Sequence, residues 1–130
     1  MKKKKFDPAR ITQGLMGKAR EYMGDSERMK DLLSSASIKV KDNNQLSGMI
    51  EDIGLALSLT RDFSRKTYRD ISKGSIAAIV AGIIYLVNPM DIIPDFLMTG
   101  FLDDAAVLGY ILTRMRDELD KYKHWKDANR

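Results

Sequence analysis

Between Lys73 and Arg114 the chain carries no cation, and its only charges are four aspartates: Asp91, Asp95, Asp103 and Asp104. All four fall in the stretch from Asn88 to Asp104, NPMDIIPDFLMTGFLDD, together with Pro89 and Pro94. Just before and overlapping it lie the 17 uncharged residues from Gly74 to Met90, the most apolar part of the chain. This layout imposes two demands. A helix apolar on every side has to be enclosed, by other helices or by lipid. Ionised carboxylates beside it have to be paired, hydrogen-bonded or metal-bound. The aspartate segment is therefore either an exacting turn or a site.

The rest of the chain reads as helix. Asp7 is placed to cap a first helix with Pro8 at its first position, and Ile11, Leu15, Ala19, Tyr22 and Met23 recur at helical spacing before a stop at Gly24. Asp25 or Ser26 starts a second helix with Met29, Leu32, Leu33, Ala36 and Val40 on one face. After a break at Asp42-Asn43-Asn44, a third carries Leu46, Met49, Ile50, Ile53, Leu57 and Phe63 and is expected to run towards Tyr68 or Ile71. Asn88-Pro89 ends the apolar fourth helix, because proline disfavours the helical conformation of the residue before it. The last helix begins at Asp103 or Asp104, carries Ala105, Ala106, Leu108, Ile111, Leu112 and Met115, and is expected to fray near His124-Trp125. The expected fold is all-α, a compact bundle of about five helices around a central apolar hairpin.

No Pro/Gly/Ser-rich linker interrupts these 130 residues, so the chain is divided into a basic arm, residues 1–5, and one helical domain, residues 6–126. The absence of cysteine excludes disulfides and thiolate metal sites, and a histidine-based site would rest on His124 alone. Residues 1–73 hold 16 Lys/Arg against 10 Asp/Glu, whereas residues 74–130 hold 6 against 8. Basic charge thus gathers upstream of the apolar run, as attraction to anionic lipid would require. Lys2 to Lys5 with Arg10, Lys18 and Arg20 would be the footprint for nucleic acid, but no recognition motif accompanies them, and nucleic acid is not the expected partner. No apolar segment follows the lysines as in a signal peptide, so a cytoplasmic start is expected.

A 17-residue helix is roughly 25 Å long, against about 30 Å of bilayer hydrocarbon. The second uncharged run, from Ala105 to Thr113, covers about 14 Å. A two-helix span is therefore marginal in length. Its charge placement is nevertheless suitable: Arg61, Arg65, Lys66, Arg69 and Lys73 precede the hairpin, Arg114 and Arg116 follow it, and both flanks would lie on one side. The competing arrangement buries the hairpin inside a soluble bundle.

Each aspartate has a structural role open to it. Asp91 fits a capping turn begun by Asn88 and Pro89, Asp95 an Asx-type turn after Pro94, and Asp103 or Asp104 the cap of the last helix. Gly100 supplies backbone freedom between them. The alternative is a metal centre in which Asp91, Asp95, Asp103 and Asp104 offer hard oxygen ligands to Mg²⁺, Ca²⁺ or Mn²⁺, structurally or to activate water. No nucleophile or base accompanies them, so no catalytic residue is assigned.

The run Tyr85-Leu86-Val87-Asn88-Pro89-Met90-Asp91-Ile92-Ile93-Pro94-Asp95-Phe96, followed by Gly100-Phe101-Leu102-Asp103-Asp104-Ala105-Ala106-Val107-Leu108, resembles the signature of the YkvA-like bacterial proteins. The signature core covers residues 72–110, and Arg116-Asp117-Glu118-Leu119 and His124-Trp125 are also similar to that family. The resemblance marks Asn88, Pro89, Asp91, Pro94, Asp95, Gly100, Asp103 and Asp104 as the motif loop. It implies a small helical protein of the kind often predicted to associate with membranes, and it brings no activity or cofactor. Where the family often has a further proline, this chain reads Phe96-Leu97-Met98-Thr99. The function expected is non-enzymatic, at the cytoplasmic face of a bacterial membrane, through the apolar hairpin and its basic flanks. Anionic lipid or a membrane protein is the expected partner. A soluble metal-binding protein or hydrolase using the aspartates, and a small protein-binding scaffold or regulator, are the alternatives.

Overall fold

A computed structural model describes residues 8–41, 44–87 and 104–129. Among them the architecture is all-α: α1 (Pro8–Met23), α2 (Ser26–Lys41), a 3₁₀ segment (Asn44–Met49), α3 (Ile50–Ser64), α4 (Lys73–Val87), α5 (Asp104–Arg114) and α6 (Arg116–Ala128).

Local chemistry sets most of these boundaries. The Gly24 N–H reaches back to the Arg20 and Glu21 carbonyls, closing α1. Asp25 then caps α2, its Oδ1 accepting the Arg28 N–H at 3.2 Å. Ser72 does the same for α4, accepting the Ser75 N–H at 3.1 Å. Asp7 and the Asp42-Asn43 part of the expected break lie outside the described residues.

Three expectations about α3 change, the first at its start: Leu46 and Met49 lie in the 3₁₀ segment, and the α-helix begins at Ile50. It stops at Ser64 rather than near Tyr68, because Lys66 takes a left-handed conformation with φ 65°. The Lys66 N–H then bonds the Phe63 carbonyl and the Thr67 N–H the Asp62 carbonyl, the double closure of a Schellman cap. The interior face also turns slightly: Ile53, Ala56, Leu59 and Thr60 are buried, while Ile50 is 49% exposed. Ile50 opens the helix and lies off the buried side.

α4 is the centre of the bundle. It packs most extensively on α1 and also touches α2, α3 and α5. From Ile76 to Leu86 every residue except Ala78 is buried. Gly82 lets α5 come close, since a Cβ there would sit 2.8 Å from Ile111 Cδ1. From Ile76 to Leu86 the apolar helix is thus wrapped by α1, α2, α3 and α5, and no described helix is long and apolar enough to cross a membrane.

The expected last helix is bent in two at Met115, where φ −97° and ψ 13° leave helical values. Hydrogen bonds still pass across the bend, from Met115 N–H to Ile111 and from Leu119 N–H to Met115. α6 does not fray at His124-Trp125 but continues to Ala128. Leu119 and Tyr122 are fully buried, and Trp125 lies against Tyr68 and Tyr122 with ring centroids 5.0 and 5.8 Å away. These aromatic contacts hold the last turns in place.

Candidate functional site: a basic end above a buried polar ring

α6 runs parallel to α3 in fixed register. Arg116 meets Asp52, Tyr122 meets Ser58 and Lys126 meets Asp62, each pair 64 positions apart. Arg116 donates twice to Asp52, at 2.9 and 2.7 Å, a bidentate pair that holds the Asp52 carboxyl below its usual range.

Near the C-terminal ends of both helices the register closes a ring of polar groups. Tyr122 donates its hydroxyl proton to Asp62 Oδ2 at 2.5 Å. Since a phenol has one proton to give, the 2.6 Å bond between Ser58 and Tyr122 has Ser58 as donor. Lys126 donates to Ser58 Oγ at 3.2 Å and to Asp62 Oδ2 at 3.4 Å. Arg61 Nε lies 3.7 Å from Asp62 Oδ1. Asp62 is only 7% exposed, and these donors are what make its burial tolerable. Burial, and next the hydrogen bond to Asp62, push the Tyr122 phenol above its ordinary value; burial raises Tyr68 as well. Tyr122 is thus a fixed donor at neutral pH. The arrangement anchors Lys126 and Arg61 on Asp62.

Above the ring lies an open groove of about 820 Å³ between α2, α3 and α6, lined by Lys30, Arg61, Arg65 and Lys126, several serines and one acid, Glu27. A second groove of about 380 Å³ adjoins it at Ser64 and is lined by Arg20, Met23, Gly24, Phe63, Lys66, Arg69 and Lys73, with no acidic residue in its lining. Arg69 is held over the Phe63 ring, 4.3 Å from its centroid. The last turns of α1 and α3, the first turns of α2 and α4 and the end of α6 converge here. Arg61, Arg65, Lys66, Arg69 and Lys73, the basic flank recognised in the sequence, therefore form one surface with Arg20, Lys30 and Lys126.

The other flank does not join it. Arg116 is tied to Asp52, ten residues before Asp62 along α3, which is about 15 Å of helix. Gly82 of α4 faces Leu108 and Ile111 of α5, so Arg114, three residues on, lies short of Lys73, nine residues back along α4. Arg116 thus lies away from the basic end along α3.

Of the motif loop, Asp104 opens α5 as expected of the start of the last helix. Asn88, Pro89, Asp91, Pro94, Asp95, Gly100 and Asp103 lie outside the described residues, and with them the capping and metal readings of the aspartates. Among the described residues no three His, Asp or Glu side chains gather as metal ligands. His124 is exposed, its Nδ1 2.9 Å from the Asp120 carbonyl.

Comparison with known proteins bears on the same segment. A family model described as "Protein of unknown function (DUF1232)" matches residues 75–110, from the first turn of α4 into α5. The uncharacterized membrane protein YkvA of Bacillus subtilis (strain 168) is 38% identical over 78 residues, spanning 59% of this chain and 74% of that protein. The chain belongs to the YkvA-like family. No solved structure gives a significant match. The family match thus spans α4, the motif loop and the start of α5, whereas the two grooves are built mainly from α1, α2, α3 and α6.

Proposed function

We propose that this YkvA-like protein is a non-enzymatic membrane-surface protein that docks its basic end on anionic lipid at the cytoplasmic face, with α4 remaining enclosed in the bundle. The observation that carries this reading is the groove lined by Arg20, Lys66, Arg69 and Lys73 without a carboxylate. The burial of α4 favours attachment by charge over insertion of a hairpin. The description of the Bacillus subtilis relative as a membrane protein agrees with a membrane location. Each lysine or arginine close to an anionic leaflet contributes about 1 kcal/mol, so a cluster of this size gives firm, salt-sensitive adsorption.

Flotation with phosphatidylglycerol-containing vesicles tests it. The protein floats with these vesicles and not with phosphatidylcholine alone. The triple variant Arg20→Gln, Arg69→Gln, Lys73→Gln loses about 3 kcal/mol, roughly a hundredfold in partitioning. Equal flotation of variant and parent removes the proposal.

A further inference from the structure

We infer that the groove between α2, α3 and α6 is a binding site for a phosphate monoester, carried either by a lipid headgroup or by a small soluble molecule. The lipid source rests on the membrane-surface reading above; the site itself does not.

The lining sets the ligand class. Lys30, Arg61, Arg65 and Lys126 meet Glu27 as the only acid on the wall, and Asp62 lies beneath as the anchor of Arg61 and Lys126. Arginine forks match the tetrahedral oxygens of phosphate in pairs, and the two lysines add compact point charges. Hydroxyls of Ser34 and Ser37 supply further short-range donors on the same walls. Leu33 and Leu57 are the larger apolar residues of the lining, so the groove is built for a polar head and not for an acyl chain.

The polar ring prepares the site. Tyr122 and Ser58 hold Asp62 and Lys126 at the floor before any ligand arrives, which reduces the ordering that binding would otherwise demand. Lys30 and Arg65, by contrast, are exposed and have no ion-pair partner among the described residues. An incoming dianion supplies one. Two fixed and two uncommitted cations favour a monoester, which carries nearly two charges above pH 6–7, over a diester with one.

The test is calorimetric titration of the full chain with glycerol 3-phosphate, with glycerophosphorylglycerol as the diester control. Trp125, the only tryptophan and the neighbour of Lys126, provides a fluorescence readout in parallel. Saturable binding of the monoester is expected, stronger at pH 7.5 than at pH 5.5, with the diester at least about tenfold weaker. Lys30→Gln with Arg65→Gln weakens the monoester about tenfold or more while circular dichroism stays unchanged, because neither residue holds the fold together. Arg69→Gln with Lys73→Gln, in the adjoining groove, leaves this titration unaltered. Vesicles containing phosphatidic acid separate the sources: preference for them over phosphatidylglycerol at equal surface charge assigns the lipid headgroup, and soluble binding without that preference assigns a free phosphate ester. The inference is overturned by absence of saturation at about 10 mM glycerol 3-phosphate together with no preference for phosphatidic acid, or by equal binding of the diester. Flotation on phosphatidylglycerol persisting in that case would leave the surface reading standing without the site.

Discussion

Helices α4 and α6 are opposite in composition and both belong to the same packed structure. α4 has no charged residue after Lys73 and is buried almost all round. α6, RDELDKYKHWKDA, buries only Leu119 and Tyr122. α4 is held by shape, with neighbours on four sides and Gly82 admitting Ile111. α6 is held by register, through paired polar groups along α3 and one aromatic cluster. Apolarity therefore marks what is enclosed, while the chemistry of the basic end is delivered by the more polar helix. An apolar helix beside basic residues need not be a membrane anchor when α1, α2, α3 and α5 are available to cover it.

The comparison breaks most readily in α4. Ile84→Ala removes a fully buried side chain and is expected to lower stability by about 2–5 kcal/mol in urea unfolding of the purified protein. A loss under about 0.5 kcal/mol, the usual scale of surface substitutions, would mean that α4 is not the interior of the folded protein.

Tyr122→Phe probes the register of α6. It leaves Asp62 buried without its short donor and frees the Ser58 hydroxyl, at an expected loss of about 1.5–3 kcal/mol. The same denaturation experiment measures it, and a neutral result would show that the ring is incidental to the packing.

The smallest effect belongs to the half-exposed pair of Asp52 and Arg116. Asp52→Asn is expected to lower stability by under about 1 kcal/mol at pH 7, since solvent screens such pairs. Because the folded state depresses the Asp52 pKa, the pair stabilises fully above the unfolded carboxylate range and progressively less as pH falls through the depressed value. The difference between variant and parent should therefore shrink to nothing in strong acid. A gap independent of pH would assign the effect to packing.

Much of the fold could be read in the sequence, and the reasons are local. Pro8, Gly24, Asp25 and the stripe of Met29, Leu32, Ala36 and Val40 act within a turn or two of themselves, so α1 and α2 were legible with their boundaries. The stop of α3 was not, because Lys66 is an unusual choice for a left-handed cap and nothing nearby advertises it. The persistence of α6 was hidden too: it depends on Tyr68, more than fifty residues away. For the basic end, Arg61 to Lys73 were visible as a cluster, but Arg20, Lys30 and Lys126 join them only through tertiary packing. Ser58 with Asp62 and Tyr122 with Lys126 are each four residues apart, which places each pair on one helix face. No spacing within one helix shows that the two faces meet. The aspartate segment gave the family and not the groove.

The most direct test of the enclosed helix and the basic docking end is fractionation of cells producing the untagged chain. Membranes are washed first with about 1 M salt, which shortens electrostatic reach to roughly 3 Å, and then with alkaline carbonate. With α4 enclosed and the basic end docked by charge, the protein sediments with membranes at low salt and is released by the salt wash. Protein that stays with the membranes through both washes would contradict docking by charge, and would place α4 in lipid.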